Sequence, residues 1–296
     1  MSAKTLNALP HPANSSPPET AFGYPRDFLG NRFVYLVVSS RARGLSLGVN
    51  VNPDKICNFD CVYCEVHRNI QSNDHELDVA TMAAELEKTV LLVCSGHISQ
   101  QPRYARLKPD LLQLRHVALS GDGEPTLAPD FAKAVQAVMH MRARRMHPFF
   151  KVVLATNGTG LDQPQVQEGL KYFTAEDEIW IKLDAGTQSF MDKINRSEAP
   201  LEKVLHNALM VGRQRPIVIQ SLFAMIDGEE PPKNEIDEYI ARLTELKNAG
   251  AAISLVQIYS ATRPIANSGC GHMSLKSLSA IRRRIWTEAA LKAEVF

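Results

Sequence analysis

The sequence predicts an α/β protein, a parallel sheet whose strands are joined by crossover helices in a six-fold β/α repeat. Three observations carry this. From Phe33 onward, short apolar runs alternate with segments of helical period. Val152-Val153-Leu154 and Ile217-Val218-Ile219 are apolar at successive positions, as strands buried on both faces require. Polar residues gather where each strand should end, which is where ligands sit in α/β barrels and open α/β sheets.

The strands are expected at residues 47–52, 117–120, 151–156, 178–184, 217–224 and 253–258, with Pro53 ending the first. Helical patterns run over 80–93, 129–145, 163–172, 201–212, 235–249 and 275–292. The helix at 235–249 has the clearest ends, because Asn234 can cap its first amides and Gly250 supplies a left-handed exit. Residues 95–114 fit the repeat poorly and read as an insertion loop. Residues 1–25 carry Pro10, Pro12, Pro17, Pro18 and Pro25, lack the apolar segment of a secretory signal, and read as a flexible arm. The expected divisions are therefore an arm (1–25), a β/α body (26–260) and a C-terminal loop and helix (261–296).

A chain of 296 residues can spend itself on one large α/β domain. Thirty-three Lys and Arg against thirty-two Asp and Glu give a net charge of +1, which argues against global disorder and against a strongly basic nucleic-acid binder. No run approaches the ~18 consecutive apolar residues of a membrane helix. A cytoplasmic protein without membrane contact is expected. Of five cysteines, Cys57, Cys61 and Cys64 fall within eight residues. An odd, clustered set is a poor disulfide framework and points to metal chemistry in a reducing compartment.

Cys57-Asn-Phe-Asp-Cys61-Val-Tyr-Cys64 follows the first strand with CxxxCxxC spacing, unlike the two-residue gaps of bacterial ferredoxins. Three thiolates on one loop can hold a four-iron cluster with one iron left open. With His67 they could instead complete a Cys3His zinc site, giving a zinc-stabilised binding module without radical chemistry.

The cysteine run resembles the defining motif of the radical S-adenosylmethionine superfamily. That resemblance implies a partial (β/α)6 TIM-type barrel and a [4Fe–4S] cluster on Cys57, Cys61 and Cys64. It also implies S-adenosylmethionine at the open iron, cleaved by one electron to methionine and a 5′-deoxyadenosyl radical that abstracts a substrate hydrogen. A one-electron reductant such as a flavodoxin or ferredoxin follows as a partner. Ser120-Gly121-Asp122-Gly123-Glu124-Pro125 is similar to the family's GGEP segment, which contacts the methionyl amino group, and departs from it at Asp122. Tyr63 fills the aromatic slot near adenine, and Thr156-Asn157, Lys182 with Asp184, Gln220-Ser221 and Gln257-Ile258 stand at the later strand ends. The chemistry of these side chains agrees: Glu124 can accept from an ammonium, Asn157 and Asp184 can pair with ribose hydroxyls, Lys182 can donate to a carboxylate, and Tyr63 and Ile258 can wall adenine. The segments together are most similar to the branch containing the tRNA wyosine-base synthase. The second cluster of that branch uses N-terminal cysteines, and no Cys precedes Cys57 here. A small molecule or peptide is therefore the expected substrate, with tRNA-base modification as the alternative.

Each site residue also has an ordinary structural reading. Glu124 can cap a helix end, Lys182 and Asp184 can pair with one another, and Asn157 before Gly158 can be turn chemistry. Cys94 reads as a buried packing thiol. Cys270 near His272, Tyr259 and Arg263 are the candidates for contacting the substrate. The arginines within 142–145 and 282–284 read as solvated helix faces, with nucleic-acid binding the alternative.

Overall fold

A computed structural model of the chain describes residues 28–66, 74–261 and 269–296. The expected arm at 1–25, His67 and Arg263 lie outside the described residues. In chain order the elements are β1 (Val34–Ser39), β2 (Gly44–Asn50), α1 (Val79–Cys94), β3 (Leu114–Ser120), α2 (Phe131–Ala143), β4 (Lys151–Thr156), α3 (Pro164–Leu170), β5 (Glu178–Lys182), α4 (Gln188–Ile194), α5 (Leu201–Gly212), β6 (Ile217–Leu222), β7 (Ala224–Ile226), α6 (Lys233–Asn248), β8 (Ile253–Tyr259), β9 (Cys270–His272), α7 (Leu275–Arg284) and β10 (Ala293–Val295).

Eight strands form one sheet in the order β1-β2-β3-β4-β5-β6-β8-β10. Every neighbouring pair is parallel except β1 with β2. The sheet curls into the partial TIM-type barrel that the sequence predicts. Strand alternation divides its side chains into two sets. Val117, Leu119, Val152, Leu154, Ile179, Ile181, Ile219 and Val256 are fully buried on the outer face in the main core, where the helices also pack. On the inner face Val153, Trp180 and Val218 make a separate small cluster, with Leu255 against it. His116 completes this floor, hydrogen-bonded to Ser46 at 2.8 Å and edge-on to Trp180 at 5.3 Å. Burial pushes the His116 imidazole down to about 3, so it is neutral at physiological pH.

The differences from the sequence reading have local causes. β1 is an apolar strand outside the β/α period, because it joins the sheet as an antiparallel hairpin arm. The run at 217–224 breaks after Leu222, and β7 leaves the barrel to pair with β9. Helix α4 was not expected at all. Asn234 does not cap α6, which begins after Pro232 without a side-chain cap, although Gly250 does take the left-handed conformation at φ 100°. The neighbouring Glu235 instead turns inward and accepts from Gly186 N, Thr187 N and Thr187 Oγ1 at the start of α4. The C-terminal helix ends at Arg284, continues as one π turn over Ile285–Ala289, and is followed by β10, which pairs with β8. Cys94 is exposed, not buried, because α1 turns it away from the sheet. Within the loop at 95–114, Tyr104 is buried and donates to Leu36 O at 2.8 Å. Among the described residues, no helix is long and apolar enough to cross a membrane.

Candidate active site

The cysteine loop leaves the end of β2 and is fastened on two sides. Toward β5 and α4, Asp60 N and Val62 N donate to Asn195 O and Ile194 O at 2.9 Å each, and Glu198 N donates to Asn58 O at 3.1 Å. Toward β3, Glu124 N donates to Ile56 O at 2.9 Å. Asn58 extends the fastening to β4, accepting from Asn157 Nδ2 at 2.8 Å and donating to Thr159 Oγ1 at 2.9 Å. Cys57, Cys61 and Cys64 thereby reach one cavity of about 810 Å³, at the carboxyl ends of the strands. Gly121, Asp122, Gly123, Glu124, Thr156, Asn157, Lys182, Gln220 and Tyr259 line that same cavity.

Two buried polar networks hold the mouth in shape. In the first, the Glu124 carboxylate accepts from Thr126 N at 3.1 Å, Thr126 Oγ1 at 2.7 Å, Asn157 N at 2.7 Å and Thr156 Oγ1. Burial raises the Glu124 carboxyl above its ordinary value despite these donors. Its observed work is to clasp the β3 end to the β4 end, and all four contacts are internal. Asn157 is likewise engaged: its Oδ1 accepts from Thr159 N at 3.0 Å and Thr159 Oγ1 at 2.7 Å. Asp122 is held by Asn50, whose Nδ2 donates to its carboxylate at 2.8 Å.

The second network runs from the cysteine loop into the barrel. Tyr63 Oη donates to Asp184, and Asn195 Nδ2 donates to Asp184 Oδ2 at 2.8 Å. Asn195 also contacts Tyr63 Oη at 3.0 Å and Cys61 Sγ at 3.4 Å. Lys182 Nζ lies 3.8 Å from Asp184, 4.9 Å from the Tyr63 ring centre and 3.5 Å from Tyr259 Oη. Burial opposes the charge on Lys182, but Asp184 and Tyr259 outweigh it and hold its pKa above the ordinary lysine value. Lys182 is thus a fixed ammonium ion. Burial pushes the Cys61 thiol up to about 11, so metal binding there must displace a proton.

Not every sequence-predicted residue reaches the cavity. Ser221 and Ile258 fall on the outer face by strand alternation, since Gln220 and Tyr259 point inward. Ser221 Oγ donates to Leu183 O at 2.6 Å and meets Tyr239 Oη, and Ile258 is fully buried in the main core. Gln257 faces inward one layer down, where it accepts from Gln220 Nε2 at 3.0 Å. Cys270 lies in the β7–β9 ribbon outside the cavity lining. Three residues with evident work here, Asn58, Asn195 and Arg41, were not singled out from sequence. The only available signal was the position of Asn58 inside the cysteine motif.

Asn195 yields a direct prediction. Its amide serves a buried carboxylate, so Asn195→Ala is expected to destabilise the protein by about 1–3 kcal/mol. Asn195→Asp should cost more, because it sets a second carboxylate against Asp184. Urea denaturation of both variants measures this, and a loss below about 0.5 kcal/mol for either would remove Asn195 from the network.

No family model matches the chain. It is 24% identical over 232 residues to a UPF0026 protein of Helicobacter pylori, a match that covers 75% of this chain and 66% of that relative. A UPF0026 protein of Synechocystis is 28% identical over 171 residues, covering 57% of this chain and 54% of the relative. The chain thus matches less than two thirds of the length of either. Among solved structures, Streptococcus suis SuiB bound to S-adenosylmethionine superposes with a TM-score of 0.58 at 15% identity, over 86% of this chain and 51% of that one. TYW1 with a bound lysine–pyruvate adduct gives 0.54 at 13% identity, over 88% and 85%. A spore photoproduct lyase variant gives 0.55 at 10% identity, over 90% and 80%. The chain is therefore similar in sequence to UPF0026 proteins, and it shares the α/β half-barrel fold of enzymes of which one is seen holding S-adenosylmethionine.

Proposed function

We propose that this chain is a radical S-adenosylmethionine enzyme acting on a small molecule or peptide. The observation that carries the reading is the meeting of the CxxxCxxC loop with the Gly121–Glu124 segment and the polar strand ends around one cavity. Among the described residues, no three His, Cys, Asp or Glu side chains converge as a single metal ion requires. In this reading Cys57, Cys61 and Cys64 would hold a [4Fe–4S] cluster, and the residues lining the same cavity from Gly121–Glu124 to Lys182 would hold S-adenosylmethionine. When bound, the pair supplies the 5′-deoxyadenosyl radical that removes a substrate hydrogen.

The chain's own groups supply placement and charge. Asn195 donates toward the Cys61 sulfur, and hydrogen bonds to ligating sulfurs tune such clusters. Lys182, held as an ammonium ion, suits the carboxylate of S-adenosylmethionine; a lysine that attacks a carbonyl must first be neutral. Tyr63 walls the adenine side. Glu124 acts through its clasp on Thr156 and Asn157, which fixes the backbone of the β3 end. The cavity has the volume of small-ligand sites, and a net charge of +1 offers little to neutralise a tRNA backbone. A flavodoxin- or ferredoxin-like donor would supply the electron in the cytoplasm.

The test is anaerobic reconstitution, followed by iron, sulfide and zinc analysis and then by dithionite with S-adenosylmethionine. About four irons and four sulfides per chain and release of 5′-deoxyadenosine are expected. Absence of sulfide, or no deoxyadenosine above a Cys57→Ala control, defeats the reading.

A further inference from the structure

The open side of the half-barrel is closed by the turn between β1 and β2. Arg43 of that turn pairs with Glu294 of β10 at 3.1 Å, joining the two edges of the sheet. Two residues earlier, Arg41 reaches into the cavity and lays its guanidinium over the Tyr259 ring, 4.4 Å from the centroid. Lys182 Nζ lies 6.0 Å from the same centroid. A wall of side chains thus runs from the cysteine loop through Tyr63, Lys182 and Tyr259 to Arg41.

Arg41 differs from the other cations of the site in its lack of an anion. Lys182 has Asp184, whereas among the described residues no carboxylate pairs with Arg41. Its Nε is buried and has no hydrogen-bond partner. A guanidinium offers five donors in a planar fork matched to carboxylate and phosphate, and one left unpaired beside a cavity costs free energy unless a ligand meets it. Ser39 lines the same stretch, accepts from Ala42 N at 3.2 Å, and keeps its own proton to donate. No other part of the proposed chemistry uses these groups.

We propose that the seam is the substrate's anchoring site and that the substrate carries an oxyanion, a carboxylate or a phosphate, bound by Arg41. This rests on the reading of the cavity as a radical S-adenosylmethionine site, and it assigns the end away from the cysteine loop to the substrate. Lys182 serves the cofactor and Arg41 serves the substrate, with Tyr259 between them.

The experiment uses the full chain with its cluster reconstituted anaerobically. Calorimetric titration at constant ionic strength has one arm with inorganic phosphate and one with succinate. Saturable binding is expected in at least one arm, and the arm that binds names the oxyanion. Arg41→Gln should weaken that binding tenfold or more, the loss of a charge-assisted partner. Arg41→Lys, which keeps the charge and loses the fork, should fall between, and Arg43→Gln should bind as the wild type does. Binding in neither arm overturns the proposal. So does equal affinity in wild type and Arg41→Gln, or, if Arg41→Gln does not fold, equal affinity in wild type and Arg41→Lys. Deoxyadenosine release from the same preparations is read separately. Its absence with anion binding intact defeats the enzymatic reading, and its presence without anion binding defeats the seam assignment alone.

Discussion

Replacing Asp177 by alanine is expected to cost about 3–5 kcal/mol, the range for breaking a buried ion pair. Asp177 stands just before β5 with its side chain fully buried. It accepts from Arg142 Nη1 at 2.6 Å and Nη2 at 2.9 Å, from Val152 N at 2.8 Å, and from Thr174 N and Oγ1 at 2.8 and 2.9 Å. One carboxylate therefore ties α2, β4 and the turn into β5. Arg142 also donates to Phe150 O at 3.2 Å and is only 10% exposed, so without Asp177 its charge stays largely out of water. Burial on its own would raise the Asp177 carboxyl, but the Arg142 guanidinium and the N–H donors prevail and hold it below the ordinary aspartate value. Because the folded value is the lower one, the unfolded chain binds more protons in acid. The stability this group gives is complete above about pH 4 and is lost as pH falls through the folded value. Wild type should therefore lose stability below pH 4 more steeply than Asp177→Asn. Urea midpoints from pH 3 to 7 measure both effects, and a cost under 1 kcal/mol for Asp177→Ala would show that water replaces the lost contacts.

A second large effect is expected at the rim of the cavity. At Gly123 a Cβ would stand 1.9 Å from Ile56 O and 2.7 Å from its carbonyl carbon. These are backbone atoms of the cysteine loop, held there by the Glu124 N–H. No side-chain adjustment relieves that clash, so Gly123→Ala must push the loop off the β3 end and move Cys57 with it. Loss of most reconstituted iron is expected, to near the level of a Cys57→Ala control, together with a lower thermal midpoint. Full iron loading in Gly123→Ala would mean that the loop is placed by its bonds to Asn195 and Ile194 alone. The glycine is thus a requirement for close approach of two chain segments, a different demand from the turn conformations in which glycine is usually read.

The strand ends illustrate both the reach and the limit of sequence. A polar residue following an apolar run identifies a strand's carboxyl end, and six such ends converge once the strands are parallel. Which of two adjacent polar residues points inward depends on register, and a shift of one residue exchanges the faces. Gln220 faces the cavity and Ser221 the helices for that reason alone. Glu124, Asn157 and Asp184 are polar because the mouth needs them, but their partners here are protein groups: Thr126, Thr156 and Asn157 for Glu124, Asn58 and Thr159 for Asn157, and Tyr63, Asn195 and Lys182 for Asp184. Sequence marks a polar residue without saying whether its partner is a ligand or the protein.

The sequence by itself determined the parallel β/α order, the strands buried on both faces and the cysteine loop at the end of a strand. Periodicity and spacing are local properties that survive without knowledge of contacts. The tertiary structure alone decided that a short helix after β5 carries Asn195 to the Cys61 sulfur. It also decided that the β1–β2 turn brings Arg41 across the open side to Tyr259. Those pairs are separated by 134 and 218 positions in the chain, and contacts of that span are set by how the sheet curls, which no local pattern records.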